Sequence, residues 1–167
     1  TTYVITLPFR VCEGERASFL CEEKEDKEIG EPLIEGVRIL LVEDNELNRE
    51  IAQFLLESAG AQVVAAVDGQ EAFETFKESE EGFFDAIIMD IMMPRMDGYE
   101  ATRCIRALDR KDATKIPIIA MSANAFAEDR QNAREAGMDE HRVKPFDPSL
   151  MIRTIAKFVD ERKSSKE

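Results

Sequence analysis

Residues 37–60, VRILLVEDNELNREIAQFLLESAG, place an apolar run, an acidic pair and a helical pattern in immediate succession. The run VRILLV is continuous, which is typical of a strand covered on both faces in a parallel sheet. In the segment that follows, apolar residues recur with the helical period and Gly60 suits the end of the helix. The residues that share this helical face are Leu47, Ile51, Phe54 and Leu55.

The same alternation of strand and helix continues along the chain. The predicted strands are QVVAAV, AIIM, IPIIAM and EHRV, and the predicted helices are GQEAFETFKES, YEATRCIRAL, AEDRQNAREAG and PSLMIRTIAKFVDER. We expect the second helix to bury Ala72, Phe73 and Phe76, Gly137 to cap the fourth, and Pro148 to begin the fifth. Strands alternating with helices predict right-handed crossovers and a doubly wound α/β fold, with a five-stranded parallel sheet between two layers of helices.

Composition narrows the classes of function. The 167 residues carry a net charge of −13, which argues against a general binder of nucleic acid or of anionic membranes. No apolar stretch approaches the roughly 20 residues of a membrane span, and no secretory signal pattern is present. Cys12, Cys21 and Cys104 lack metal-site spacing. We interpret them as free thiols of a reducing cytoplasm.

The first part of the chain differs from the rest. TTYVITLPF, residues 1–9, alternates like a strand and stops at Pro8, yet no partner strand lies nearby in sequence. Residues 10–36 are highly charged and weakly patterned, which predicts an acidic linker. We therefore expect a terminal strand that belongs to another domain, a linker, one globular domain over residues 37–163 and a short tail at 164–167.

Polar residues stand where four of the predicted strands end: Glu43, Asp44, Asp90, Ser122 and Lys144. The carboxyl ends of parallel strands meet at one edge of the sheet, where ligands bind in this architecture. Three carboxylates there repel one another and raise the pKa of at least one, unless a hard cation such as Mg²⁺ joins them. A lysine and a hydroxyl suit a phosphoryl group. Together they predict a site that forms and breaks an aspartyl phosphate, with a carboxylate as nucleophile.

Simpler interpretations stay open for single residues. Asp44 could cap the next helix, Ser122 could be a cap or turn residue, and Lys144 could lie on the surface. The second strand ends in Asp68-Gly69, which is typical of a turn. A metal-dependent phosphohydrolase would share the acyl phosphate, although it usually needs a second acid at the position of Met92.

In combination, these motifs resemble the receiver domain of two-component response regulators and hybrid sensor histidine kinases, over residues 37–159. The resemblance implies a flavodoxin-like sheet of order 2-1-3-4-5. It implies that Asp90 in IIMDIMMPRMDG is the phosphoacceptor, and that Glu43 and Asp44 in LLVEDNELNRE bind Mg²⁺ or Mn²⁺ with Asp90. By the same resemblance the backbone carbonyl of Met92 is a further metal ligand.

The resemblance also assigns the groups around the phosphoryl. In MSANA, Ser122 would contact the phosphoryl group, and in VKPF, Lys144 would do so before a cis bond to Pro145. Three residues before the lysine, where the family usually has Tyr or Phe as a rotating switch, stands His141, the single histidine of the chain. We interpret His141 as a packing or switch residue rather than as a metal ligand.

Residues 1–9 are similar to the closing strand of the ATP-binding domain of sensor histidine kinases. The resemblance therefore implies a fragment of a hybrid kinase that takes a phosphoryl group from a phosphohistidine of a kinase or phosphotransfer domain, slowly loses it, and switches or relays it. The implied docking surface is the first helix and the loop near Phe146. A receiver used only for docking is the alternative, but such domains typically lack the acidic pair or the lysine. Dimerisation through the last helix is left open.

Overall fold

Parallel strands alternate with helices throughout the computed structural model, which describes residues 34–123, 127–145 and 147–164. The strands are β1 (Arg38–Val42), β2 (Gln62–Ala66), β3 (Ala86–Asp90), β4 (Ile118–Ser122) and β5 (Glu140–Val143). The helices are α1 (Glu46–Ser58), α2 (Gly69–Glu78), α3 (Gly98–Arg106), α4 (Ala127–Ala136) and α5 (Pro148–Ser164). The predicted strand of residues 1–9, most of the predicted linker and Phe146 lie outside the described residues.

The strands form one parallel sheet in the order β2-β1-β3-β4-β5, which confirms the predicted fold. Every residue of the central strands β3 and β4 is buried, because helices cover both faces of a doubly wound sheet. Successive β1 side chains point to opposite faces, and each face has its own hydrophobic cluster. One cluster lies under α2, α3 and α4 and includes Leu40, Phe76, Ile87 and Ile105. The other lies under α1 and α5 and includes Ile39, Leu56, Ile88 and Ile155.

The packed domain begins before β1. Ile34 lies within the predicted linker, yet its side chain is buried in the cluster under α1 and α5. The backbone N–H of Gly36 donates to the carbonyl of Gly60 at 2.9 Å. Gly60 has a φ of +93°, the left-handed conformation that glycine adopts readily after a helix. The segment before β1 is thus hydrogen-bonded to the end of α1.

Helix α1 packs differently from what its apolar pattern suggests. Of the four residues predicted to share a face, Leu47, Ile51 and Phe54 are turned to solvent, and Phe54 is 69% exposed. Leu55 is half-buried. The residues buried against the sheet are Ala52 and Leu56. In α2, by contrast, Ala72 and Phe76 are fully buried and Phe73 packs partly against them, as predicted. The exposed apolar face of α1 therefore contributes little to the core.

The orientation of α1 can be tested by two truncations on the same helix. We expect Leu56→Ala to lower the free energy of unfolding by about 2–5 kcal/mol, because it leaves a cavity under the helix. Phe54→Ala should change it by only about 0.5 kcal/mol, because the ring is already in water. Urea unfolding followed by circular dichroism measures both. Equal losses for the two variants would contradict the orientation.

Candidate functional site

The strand register brings the predicted site residues to one edge of the sheet. Asp90 is the last residue of β3, where it lies opposite Met121, and Ser122 ends β4 opposite Val143. Glu43 and Asp44 directly follow β1, and Lys144 directly follows β5. The strand ends of β1, β3, β4 and β5 thus supply the polar residues of the site, as the sequence predicts.

The carboxylates of Glu43, Asp44 and Asp90 form a cluster in which one oxygen of each lies within 4.8 Å of the others. It is the only such group of acidic, histidine or cysteine side chains among the described residues. Glu43 and Asp90 are buried, whereas Asp44 is exposed. The side chain that caps α1 belongs to Asn45, which accepts from the backbone N–H of Asn48 at 3.0 Å. The alternative that Asp44 serves as that cap is therefore wrong.

Lys144 joins the two buried carboxylates. Its Nζ donates to Glu43 Oε2 at 2.6 Å and to Asp90 Oδ2 at 2.7 Å. The backbone N–H of Lys144 donates to the carbonyl of Ser122 at 2.7 Å, and the peptide bond to Pro145 is cis as expected. Because the ammonium group points into the site, the alternative of an ordinary surface lysine is wrong.

The remaining oxygens of these carboxylates are also held. Glu43 Oε1 accepts from the side-chain amide of Asn48 at 3.0 Å, and Asp90 Oδ1 accepts from the backbone N–H of Met92 at 3.2 Å. The Arg49 guanidinium donates to the backbone carbonyl of Glu43 at 2.9 Å. Sequence reasoning did not identify Asn48 or Arg49. Their position in the first turn of the helix after the acidic pair is the signal that could have shown them.

Burial and mutual repulsion decide the protonation of the site. Burial raises the pKa of Asp90, and the charge of Glu43 raises it further, although Lys144 acts in the opposite direction. Burial by itself would lower the pKa of Lys144, but its hydrogen bonds to Asp90 and Glu43 outweigh this effect and raise it. The site thus contains three carboxylates, of Glu43, Asp44 and Asp90, and one charged lysine. A cation at the cluster would favour the ionised form of Asp90.

Ser122 and His141 form a pair beside this cluster. Ser122 Oγ lies 2.9 Å from His141 Nε2, within hydrogen-bond distance. His141 lies opposite Ala120, two residues before Ser122, so the contact runs diagonally between the neighbouring strands β4 and β5. Ser122 is thus linked to the edge strand β5. Burial lowers the pKa of His141, and the charge of Arg130 lowers it further.

The acceptor loop, residues 91–97, connects β3 to α3 next to Asp90. At the end of this loop the backbone approaches itself closely, because a Cβ on Gly98 would lie 2.3 Å from the carbonyl oxygen of Asp90.

Asp68, which the sequence suggests is a turn residue, is instead the buried N-cap of α2. It forms an ion pair with Arg95 of the acceptor loop. This contact was missed because the two residues are far apart in sequence.

A parallel sheet of this order, with clustered carboxylates and a lysine at its carboxyl edge, defines a CheY-like phosphoacceptor domain. The response regulator receiver domain family matches residues 39–156. The chain therefore belongs to the receiver domain family.

Curated relatives place similar domains within histidine kinases. Histidine kinase 1 of Arabidopsis thaliana is 36% identical, over 73% of this chain and 13% of its own length. Hybrid signal transduction histidine kinase I of Dictyostelium discoideum is 35% identical, over 77% of this chain and 8% of its own length. The chain thus spans only a small part of these relatives.

Solved structures agree in fold. The receiver domain of a sensor histidine kinase of Pseudomonas aeruginosa is 38% identical, with a TM-score of 0.68, over 75% of this chain and 98% of that chain. That crystal structure contains a magnesium ion coordinated in its active-site cleft. The chemotaxis protein CheY4 of Vibrio cholerae is 28% identical, with a TM-score of 0.67, over 74% of this chain and 98% of that chain. Within the described ranges of our chain, no helix combines the length and apolarity that a membrane crossing requires.

The lowered pKa of His141 predicts a pH dependence of stability. Because the pKa of the folded form lies below its ordinary value of 6.5, the unfolded chain binds the proton first as the pH falls. The contribution of His141 is therefore present above about pH 6.5 and is lost as the pH falls through the window below it. The neighbouring charges are Arg130 and Asp129 on α4 and Glu140 on β5.

The measurement is urea unfolding of the wild type and of His141→Gln between about pH 7.5 and 5.5, where histidine titrates. We expect the unfolding free energy of the wild type to fall relative to that of His141→Gln as the pH is lowered. If the unfolding free energy of the wild type rises relative to that of His141→Gln, or the gap between the two stays constant, His141 is not held in its neutral form.

Proposed function

We propose that this chain is the phosphoacceptor domain of a phosphorelay, in which Asp90 takes a phosphoryl group from a phosphohistidine. The observation that carries this proposal is the contact of Lys144 with both Asp90 and Glu43, in a cluster that also includes Asp44. This arrangement places a carboxylate nucleophile, a compact positive charge and further oxygen donors within a few ångströms of one another. Phosphoryl transfer requires these groups, because its catalysis depends mainly on positioning and charge stabilisation.

The donor set fits Mg²⁺, and Mn²⁺ in its place. Glu43, Asp44 and Asp90 offer carboxylate oxygens, which this hard cation prefers, and it accepts water at its other positions. Their negative charge exceeds what Lys144 alone can balance. We propose that these three carboxylates and the backbone carbonyl of Met92 hold the ion. When bound, it would neutralise charge on the phosphoryl oxygens.

In the proposed reaction, an ionised oxygen of Asp90 attacks the phosphorus of the phosphohistidine. The new P–O bond forms as the P–N bond breaks, and the electron pair stays on the imidazole nitrogen, which takes a proton from water. Lys144 leaves Asp90 for a phosphoryl oxygen, and the Ser122 hydroxyl donates to another. Since Ser122 now bonds His141, this movement would break the contact between β4 and β5. We propose that its loss is the switch signal.

The exposed apolar face of α1 supports a docking role for this helix. A cleft of about 470 Å³ runs from Ile51 and Ala52 on α1 to Lys144 and Pro145 at the site. Beside it stand Leu47 and Phe54, both exposed. We propose that a histidine kinase or histidine phosphotransfer domain docks here through apolar contacts, which would bring its phosphohistidine to Asp90.

The relatives suggest the larger context. Because the chain matches short segments of histidine kinases, we propose that the parent protein is a hybrid sensor kinase. We retain the prediction that residues 1–9 are the last strand of its ATP-binding domain and that an acidic linker follows. The receiver domain then begins at Ile34, which is buried in its core, rather than at residue 37. The parent would then supply the phosphohistidine or receive the switch signal.

Chemical phosphorylation tests the assignment of Asp90. Incubation with Mg²⁺ and phosphoramidate should add one phosphoryl group to the wild type and none to Asp90→Asn, as measured by intact mass spectrometry. Asp44→Asn should require more Mg²⁺ for the same extent, because it removes a ligand. A phosphoryl adduct on Asp90→Asn, or none on the wild type, would contradict the proposal. Sustained turnover of phosphoesters would favour the phosphohydrolase.

Docking through α1 predicts a split between two phosphodonors. Phe54→Ala should slow transfer from a phosphorylated histidine phosphotransfer domain by about tenfold or more, since losing an interface anchor costs on the order of 2 kcal/mol. Phosphorylation by phosphoramidate should be unchanged. Val64→Ala, which truncates an exposed apolar residue on β2, is the matched control and should affect neither reaction. Equal slowing with both donors would place the effect of Phe54 in the site rather than at an interface.

A further inference from the structure

We propose that the ion pair between Asp68 and Arg95 holds the acceptor loop in the conformation that receives the metal ion, so that Arg95 is a positioning residue of the site. This inference rests on the proposed function, because it concerns the same metal site. It adds two residues, on the β2–α2 connection and in the acceptor loop, that none of the sequence motifs assigns.

Asp68 is a rigid anchor for such a contact. Its side chain is 1% exposed, and its Oδ1 accepts from the backbone N–H of Glu71 at 2.8 Å as the N-cap of α2. The Glu71 carboxylate in turn accepts from the backbone N–H of Val67 at 2.8 Å. The other oxygen of Asp68, Oδ2, faces the Arg95 guanidinium. A buried carboxylate is costly without a partner, so this oxygen strongly favours a cation beside it.

The backbone of Arg95 indicates that its side chain is needed where it stands. Its φ is +68°, the only positive value of a non-glycine residue in the described chain. An L residue is less stable than glycine in this region. Most of the arginine side chain is exposed, so burial of apolar surface does not offset this cost. Two contacts oppose this cost: the backbone N–H of Met96 donates to the carbonyl of Pro94 at 2.9 Å, which closes the turn around Arg95, and the side chain pairs with Asp68.

The two ends of the acceptor loop are fixed by backbone contacts. At the start, the N–H of Met92 donates to Asp90 Oδ1 at 3.2 Å. Toward the end, the carbonyl of Met96 accepts from the N–H of Gly69 at 3.3 Å, and the N–H of Gly98 donates to the carbonyl of Ile91 at 3.0 Å. Arg95 is adjacent to Met96 and ties the exposed middle of the loop to Asp68.

The geometry matters because Met92 lies in the same loop. A backbone carbonyl binds a cation well only when the loop is already ordered, since ordering it on binding costs conformational entropy. The ion pair fixes the loop before the cation arrives. Loss of such supporting groups typically weakens metal binding by about tenfold or more.

A long-range charge effect makes a different prediction. If Arg95 acted only through its charge, its removal would relieve repulsion and tighten Mg²⁺ binding. Removal of the Asp68 charge would weaken it. A positioning role predicts that both removals weaken binding, and that the second removal adds little once the first is made. The signs of the two effects therefore separate the explanations.

The variants are Asp68→Asn, Arg95→Gln and their combination, with Arg103→Gln as a control for loss of one exposed arginine charge on α3. Asn is as good an N-cap as Asp, so Asp68→Asn removes the charge and keeps the cap of α2. Calorimetric titration with Mg²⁺ on the full chain measures the dissociation constant. We expect it to rise about tenfold in each single variant and no further in the double variant, with Arg103→Gln unchanged.

Arg95→Gly separates positioning from folding. Glycine relieves the positive φ, which offsets part of the cost of leaving the buried Asp68 carboxylate without its partner. The free energy of unfolding should therefore fall less in Arg95→Gly than in Arg95→Gln, while Mg²⁺ binding weakens about tenfold in both, and Arg95→Lys should restore part of the affinity. Tighter Mg²⁺ binding in Arg95→Gln, or wild-type affinity in all the variants, would overturn the inference. Failure of the wild type to bind Mg²⁺ would instead overturn the proposed function.

Discussion

The two hydrogen bonds of the Lys144 ammonium, to Glu43 and to Asp90, are the interaction on which the rest of the site depends. They connect the ends of β1, β3 and β5, which lie far apart in the chain. The buried carboxylates of Glu43 and Asp90, which have oxygens within 4.8 Å of each other, repel. A single lysine compensates only part of their charge. Burial consequently leaves the pKa of Asp90 raised despite the lysine. The raised pKa means that the fold disfavours the ionised form of the residue proposed to react, and a cation at the cluster would favour that form.

Lys144, which neutralises part of the charge of the site, is also connected through Ser122 to the edge strand β5. Its backbone N–H bonds the carbonyl of Ser122, and the Ser122 hydroxyl bonds the His141 ring on β5. The two groups proposed to contact a phosphoryl therefore both have other partners in this structure. A phosphoryl group on Asp90 would compete for them, so its binding energy is reduced by the cost of breaking these contacts. In the proposed cycle, that cost would couple the modification to a conformational change.

The fold could be predicted because its signals are local, whereas several contacts of the site are not. Continuous apolar runs such as VRILLV, followed by helical periods, define the order of elements, and polar residues at strand ends then converge by topology. Periodicity also shows that Leu47, Ile51 and Phe54 share a face. It does not show whether that face meets the sheet, because Ala52 and Leu56, one turn apart, provide a second apolar surface, and this is the one that is buried. Asp68 looked like a turn residue since turns and N-caps use the same side chains.

The two surfaces beside the site differ in physical character, and this difference follows from the packing. On the α1 side, Ile51 and Phe54 are exposed because the helix turns Ala52 and Leu56 toward the sheet. Apolar area that the core does not use is available to a partner. On the other side, the acceptor loop presents Arg95, held by the buried Asp68. A docked partner could thus gain its affinity from α1 while the acceptor loop keeps the geometry that the reaction needs. Binding and chemistry could then change independently through different residues.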